Sequence, residues 1–361
     1  MLATRHPSPQ RAPRSRLRPT LLGLILSCLA TGAAWAQTKT LYIGMNGGVM
    51  EQSYTKYVFP AFERIHGVKV VVVPGTSSDI LAKVQASKEK PPVHVMFLDD
   101  GVMMRAVKMG LCQKMADSPV LKDLYPSARM AGGMAAGVNV GMTGIGYNKK
   151  MFDEKKWPAP TSWMDFADPK FKGKVVFQSM PSSSFGLHGF LMFNRIQGGS
   201  EKNVEPGFSK WRASIGPNVL EYIPSSAKLS EMVQNGEAAI FPLTPTSVAV
   251  QKAKGIPMEY AQPKEGSVLL MVAECVTANN DAPELAQKLA AFLLSPEAQA
   301  AALEFGSQIP SNTKTQVSSA QAQATVDQFK VYMKNVITLD WDAINLVRPD
   351  WNTRWNRTIE R

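Results

Sequence analysis

The sequence predicts an α/β protein of parallel-type sheets flanked by crossover helices and divided into two domains. Three observations carry this. Strand-like and helix-like segments alternate from Thr40 to Leu98, the pattern of a parallel sheet with crossover helices. A Gly-, Ala- and Met-rich stretch at 130–146 then breaks the alternation, which restarts from Trp163. Beyond the first 36 residues the chain is about 325 residues long, enough for two domains.

Residues 40–45 (TLYIGM) read as the first strand, and Gly47-Gly48 as a turn. Residues 49–66 fit an amphipathic helix, with Tyr54, Tyr57, Val58, Phe62 and Ile65 at helical spacing and Gly67 as the stop. Residues 68–73 (VKVVVV) are apolar enough for a strand buried on both faces. A turn at 75–78, a helix at 79–87 and a strand at 92–98 ending in Asp99-Asp100 complete the first run. In the second run, strands are expected at 174–178 (KVVFQ) and 238–243 (AAIFPL), with helices after Ser182-Ser183-Ser184 and at 246–253. Residues 268–273 (VLLMVA) return to buried-strand composition, helices follow at 283–294 and 296–305, and 320–361 are mostly helical.

The N-terminal 36 residues read as a signal peptide. Arg5, Arg11, Arg14, Arg16 and Arg18 form a basic segment without an acidic residue. An apolar run at 21–29 follows, far short of the roughly 20 residues that span a bilayer. Ala34-Trp35-Ala36 supplies an A-x-A cleavage site, with Gln37 the expected mature start, so the expected location is the periplasm. Lipid anchoring after cleavage before Cys28 stays open, although the bulky Leu26 suits it poorly.

The chain has 40 Lys and Arg against 29 Asp and Glu, and losing the five signal-peptide arginines lowers the net charge from +11 to +6. That charge is not clustered into a basic stripe, which argues against nucleic acid as a partner. Cys112 and Cys275 remain. Export permits a disulfide, but two distant cysteines make no framework, and two buried free thiols are the simpler expectation. No G-x-S-x-G, H-E-x-x-H, Walker loop or G-x-G-x-x-G occurs. An enzyme is therefore the weaker class, and neither a cofactor nor a metal is called for.

Landmarks in order along the chain resemble the solute-binding proteins of ATP-driven (ABC) importers, in the branch of the spermidine/putrescine receptors and, more distantly, the ferric-iron receptors. They are AFERIHGVKV at 61–70, TSSDILAKV at 76–84, GIGYN at 144–148, SWMDFADPKFKGKV at 162–175, QNGEAAI at 234–240, PKEG at 263–266, SPEAQ at 295–299 and DWDAINLVRPDWNTRW at 340–355. Each is weak alone, and their order makes the likeness. The resemblance implies a type II periplasmic-binding-protein fold with a ligand cleft between two lobes. It divides the chain into a first lobe (37–141), a second lobe (142–263), a return to the first (264–305) and C-terminal helices packed on the lobes (306–361). It also implies a monomer that binds a small-molecule solute and serves an inner-membrane ABC permease complex.

Ligands of open parallel sheets sit beyond the carboxyl ends of the strands. That rule selects Asn46, Gly47, Thr76, Ser77, Ser78 and Asp100 in the first lobe, and Ser183, Ser184, Phe185, Thr244 and Thr246 in the second. Hydroxyls just ahead of helices act as caps, and the same positions present free N–H groups and a positive dipole end to an anion. Asp99, Asp100 and Glu274 are instead candidate partners for an ammonium group. Polyamine receptors carry an acidic residue at this point of the returning strand, so the resemblance gives Glu274 that role. The aromatic walls of polyamine clefts are missing, however, because Met45-Asn46-Gly47-Gly48 and Pro242-Leu243-Thr244 hold no aromatic residue. The adjacent tyrosines of iron receptors are also absent. An amine-bearing solute, polyamine-like or zwitterionic, is expected, with a small organic anion (carboxylate, phosphonate or sugar phosphate) as the alternative.

Overall fold

The computed structural model describes residues 39–226 and 228–360. The expected signal peptide, Gln37 and Cys28 lie outside the described residues.

The chain begins with β1 (Thr40–Met45), α1 (Val49–Ser53), α2 (Phe59–His66), β2 (Lys69–Pro74), α3 (Ser77–Ala86), β3 (Val95–Asp99), α4 (Asp100–Lys108) and the short β4 (Cys112–Gln113). A 13-residue strand, β5 (Ala136–Asn148), leads to α5 (Lys149–Lys155), β6 (Val175–Gln178), α6 (Ser184–Ile196), α7 (Glu205–Trp211), β7 (Val219–Ile223), α8 (Leu229–Gln234), β8 (Ile240–Leu243), α9 (Pro245–Ala253) and β9 (Met258–Ala261). The chain returns in β10 (Ser267–Thr277), α10 (Pro283–Leu293), α11 (Pro296–Gly306) and β11 (Ile309–Pro310), and ends in α12 (Ala320–Tyr332), β12 (Val336–Ile337) and α13 (Trp341–Thr358). No described helix is long and apolar enough to cross a membrane.

The strand order is β2-β1-β3-β10-β5-β8-β6-β7. The β2-β1-β3 and β8-β6-β7 groups are parallel. They are joined through β10 and β5, which run antiparallel to their neighbours. Strand β5 serves both lobes: Ala136–Thr143 pair with β10, and Gly144–Tyr147 pair with β8. One core, including Leu41, Phe62, Phe97 and Leu289, covers the first group. Another, including Trp163, Phe177, Phe190 and Trp211, covers the second. The C-terminal helix α13 feeds Trp341, Ile344, Trp351 and Trp355 into that second core.

Three expectations are corrected. Strand β2 is an edge strand with only Val70 buried: β1 pairs with one edge of it, and among the described residues no strand pairs with the other. The expected single helix at 49–66 carries a π turn at Tyr54–Val58 before α2. Pro60 explains it, since proline lacks an N–H and clashes with a regular preceding turn. Cys112 and Cys275 are not free thiols but a disulfide, with Cα atoms 5.8 Å apart. Strand β4 pairs with the end of β10 in a register that sets Cys112 opposite Thr277, which brings together two cysteines 163 residues apart.

Candidate binding cleft

Four helices begin where strands end at the cleft. Helix α3 follows β2, α4 follows β3, α6 follows β6 and α9 follows β8. Their caps fix local geometry. Thr76 and Asp79 form a reciprocal capping box at α3, with Asp79 N–H to Thr76 Oγ1 at 3.2 Å and Thr76 N–H to Asp79 Oδ2 at 3.0 Å. Ser183 Oγ accepts from Phe185 N–H at 3.2 Å, and Thr244 Oγ1 accepts from Ser247 N–H at 3.1 Å. These hydroxyls are committed to caps, and Ser77 and Asp79 of α3, Ser184 and Phe185 of α6, and Thr246 and Ser247 of α9 line the cavity from the first turns.

The cavity between the lobes has a volume of about 740 Å³, the size of a small-molecule site. Of the sequence-selected residues, Asn46, Gly47, Thr76, Ser77, Ser183, Ser184, Phe185, Thr244 and Thr246 line it. Among the described residues, Phe185 is the single aromatic ring in that lining. Ser78, Asp100 and Glu274 are not part of the lining.

Glu274 is displaced because β10 does not end there. The strand runs on to Thr277, with Glu274 opposite Phe97 of β3 and Ala136 of β5. Its side chain is fully buried, and neither carboxylate oxygen has a hydrogen-bond partner. Burial pushes its carboxyl well above the usual carboxylate range. Asp100 sits behind the floor, where Oδ2 accepts from Trp341 Nε1–H and Oδ1 from Gly101 N–H, each at 3.0 Å. Burial and then the neighbouring Asp99 push Asp100 up to about 7.

Asp99 is the carboxylate on the floor. Its N–H donates to Ser77 Oγ at 3.0 Å, and its Oδ2 accepts from Ser184 Oγ–H at 2.5 Å. The second bond joins the two lobes at the base of the cleft. Across the rim, Lys254 Nζ donates to Gln52 Oε1 at 3.2 Å. The floor between them is Asn139, Val140 and Gly141 of β5 with Leu270 and Val272 of β10.

Sequence reasoning passed over Asn139, Ser226 and Ser230, all of which line the cavity. Asn139 is buried at the floor, with the buried Tyr54 hydroxyl as its side-chain neighbour. Ser226 follows β7, and the succession VLEYI then Pro224-Ser225-Ser226 is the same strand-then-hydroxyl signal that selected the other loops.

Residues 58–329 match the profile of a family described as bacterial extracellular solute-binding protein. A spermidine/putrescine-binding periplasmic protein of Escherichia coli is 27% identical over 157 residues, 44% of this chain and 43% of the relative, so the matched region spans less than half of that relative's length. A Salmonella typhimurium periplasmic protein named for binding 2-aminoethylphosphonate is 22% identical over 348 residues, covering 93% of this chain and 97% of the relative. The periplasmic binding protein AfuA of Actinobacillus pleuropneumoniae, solved with fructose-6-phosphate bound, superposes with a TM-score of 0.74 at 21% identity, covering 90% of this chain and 99% of AfuA. The fold is that of the type II periplasmic binding proteins, and these relatives are binding proteins rather than enzymes.

Proposed function

Since the chain belongs to the family of bacterial extracellular solute-binding proteins, we propose that it is the periplasmic receptor of an ABC importer and that its solute carries an oxyanion head. One observation carries the solute class: the N-termini of α3, α6 and α9 open onto a single cavity through hydroxyl-bearing residues. Orphan N–H groups and the positive ends of helix dipoles favour a phosphonate, phosphate or carboxylate there. Thr246 Oγ1, 3.1 Å from Thr244 Oγ1, adds a hydroxyl that is not itself a helix cap. The names of the full-length Salmonella relative and of the AfuA complex support the same class.

An amine-bearing solute is the second reading, favoured by Asp99 on the floor and by the polyamine-binding names of other relatives. A zwitterion such as 2-aminoethylphosphonate would engage both sets of groups. The lobes would close on either solute by hinge motion at β5 and β10 and present the closed form to the permease.

Calorimetric titration with 2-aminoethylphosphonate, fructose 6-phosphate and putrescine separates the readings. Binding of a phosphorus-bearing probe, weakened by about 1.5–3 kcal/mol in Thr246→Ala, is the expected result. Tight putrescine binding that is indifferent to Thr246→Ala would overturn the oxyanion assignment.

A further inference from the structure

We infer that Ser184 is a positioning residue of the cleft: its hydroxyl, donated to Asp99 across the two lobes, sets how strongly the closed arrangement is favoured over an open one. Asp99 ends β3 in the first parallel group, and Ser184 opens α6 in the second. Both are buried, and Ser184 Oγ–H meets Asp99 Oδ2 at 2.5 Å. Neither side chain has the role that its position suggests. An aspartate just ahead of a helix ordinarily caps it. Asp99 is the N-cap residue of α4, yet its side chain makes no cap hydrogen bond. On α6 the cap is Ser183, which leaves the Ser184 hydroxyl free of that duty. Ser77 Oγ accepts from Asp99 N–H at 3.0 Å, but it belongs to the same lobe as Asp99 and holds nothing across the cleft. The carboxylate is thus turned from its own helix toward the facing lobe, and the serine is turned to meet it.

The place of this bond gives it leverage on closure. Asp99 stands opposite Val272 of β10, at the point where the register of β10 against β5 shifts. Those two strands carry the chain between the parallel groups, so rotation about them draws Ser184 away from Asp99. While the lobes are together, the carboxylate is out of water and takes a charge-assisted hydrogen bond from Ser184. Once they part, water takes the place of the hydroxyl. Deleting the hydroxyl therefore leaves a buried carboxylate short of a donor in the closed arrangement alone. That difference between the two arrangements is what shifts their populations. The Lys254–Gln52 contact at the rim also crosses the lobes, but both side chains are exposed and water replaces it at little cost.

The test uses no solute, so its outcome is separate from the oxyanion assignment. Spin labels are attached through Thr55→Cys and Ala253→Cys, two exposed positions beside the Lys254–Gln52 contact, while Cys112 and Cys275 stay in their disulfide. Dipolar coupling between the labels is strong when the lobes are together and weak when they part. It is measured in this background with no further change and with Ser184→Ala, Asp99→Asn and the Asp99→Asn/Ser184→Ala double variant. Ser184→Ala is expected to lower the closed-to-open ratio by about 10-fold or more, the net worth of one hydrogen bond to a charged group. Asp99→Asn keeps an acceptor for Ser184 and should retain the coupling of the parent. The double variant should close more than Ser184→Ala alone, because a neutral amide loses less on leaving water, and the two changes should therefore be non-additive. Unchanged coupling in Ser184→Ala, even with a lower melting temperature, would reduce the serine to local packing and overturn the inference. A double variant as open as Ser184→Ala would place the effect in α6 itself and not in the pair, and the inference would fall.

Discussion

Glu274, expected as an ammonium partner in the cleft, lies instead inside the sheet, away from the cavity lining. Strands β3 and β5 flank it on both sides and bury it without a partner. The segment Glu274-Cys275-Val276-Thr277 carried the missing signal, since two apolar residues after the glutamate extend the strand pattern. Because burial raises Glu274 above its unfolded value, the cost it imposes is absent below the unfolded value, near 4.3, and grows as pH rises. Glu274→Gln is thus expected to gain stability on wild type between pH 5 and pH 8 in urea unfolding. The gain should be about 1–3 kcal/mol, the scale of an unpaired buried polar group, with solute affinity unchanged. A loss of affinity with no change in stability would return Glu274 to the cleft.

Among the elements, the parallel strands and the capped helices were the legible part. Hydrophobic runs bounded by Ser, Thr and Gly mark β1, β3, β6 and β8 and the starts of α3, α6 and α9, and those caps are what line the cleft. Strand β5 was not legible, because Gly137, Gly141, Gly144 and Gly146 dilute its β pattern. The glycines answer packing instead: a Cβ at Gly144 would lie 2.2 Å from Tyr260 Oη, and one at Gly146 would lie 2.3 Å from the Phe241 ring. Several of the family landmarks are scaffold fastenings, while Thr76 and Ser77 of TSSDILAKV line the cleft. Glu63 accepts from Val70 N–H, Asn148 caps α5 and donates to Val233 O, and Glu265 accepts from Ser162 Oγ–H. They report the fold and not the solute, which is why the fold could be read while the solute class could not. Two stability predictions belong at this scale. Thr76→Ala, which removes the α3 capping box, should cost about 1 kcal/mol. Replacing both Cys112 and Cys275 by Ser should cost more, up to about 5 kcal/mol for so long a closed loop, as measured by denaturant midpoints. A double serine variant as stable as wild type would show that the β4–β10 pairing holds without the covalent link.

At the scale of the whole molecule, the two cores are joined by few elements. Strands β5 and β10 pair along seven positions and carry the chain between the parallel groups. Helix α13 adds a third link, through Lys108 to Asp342 at 2.5 Å and Trp341 to Asp100 on the α4 side, and Arg354 to Glu205 and Trp355 on the α7 side. The two contributions are unequal. Both ion pairs are solvent-exposed and worth little, whereas the buried Trp341, Trp351 and Trp355 each shield large aromatic area in the second core. Helix α13 is therefore a structural wall of the second lobe that also reaches the first. Ending the chain after Leu339 should then destabilise the lobes unequally. Wild type is expected to unfold in one calorimetric transition. The shortened chain should show an earlier transition for the second lobe, with Trp163 and Trp211 becoming solvent-exposed, and a later one for the disulfide-bearing first lobe. The early transition should lie about 10 °C or more below the wild-type value, because the cavities left by three tryptophans each cost several kcal/mol. A single unshifted transition in the shortened chain would mean that α13 is dispensable to both cores, and the C-terminal helix would lose its place as a link between them.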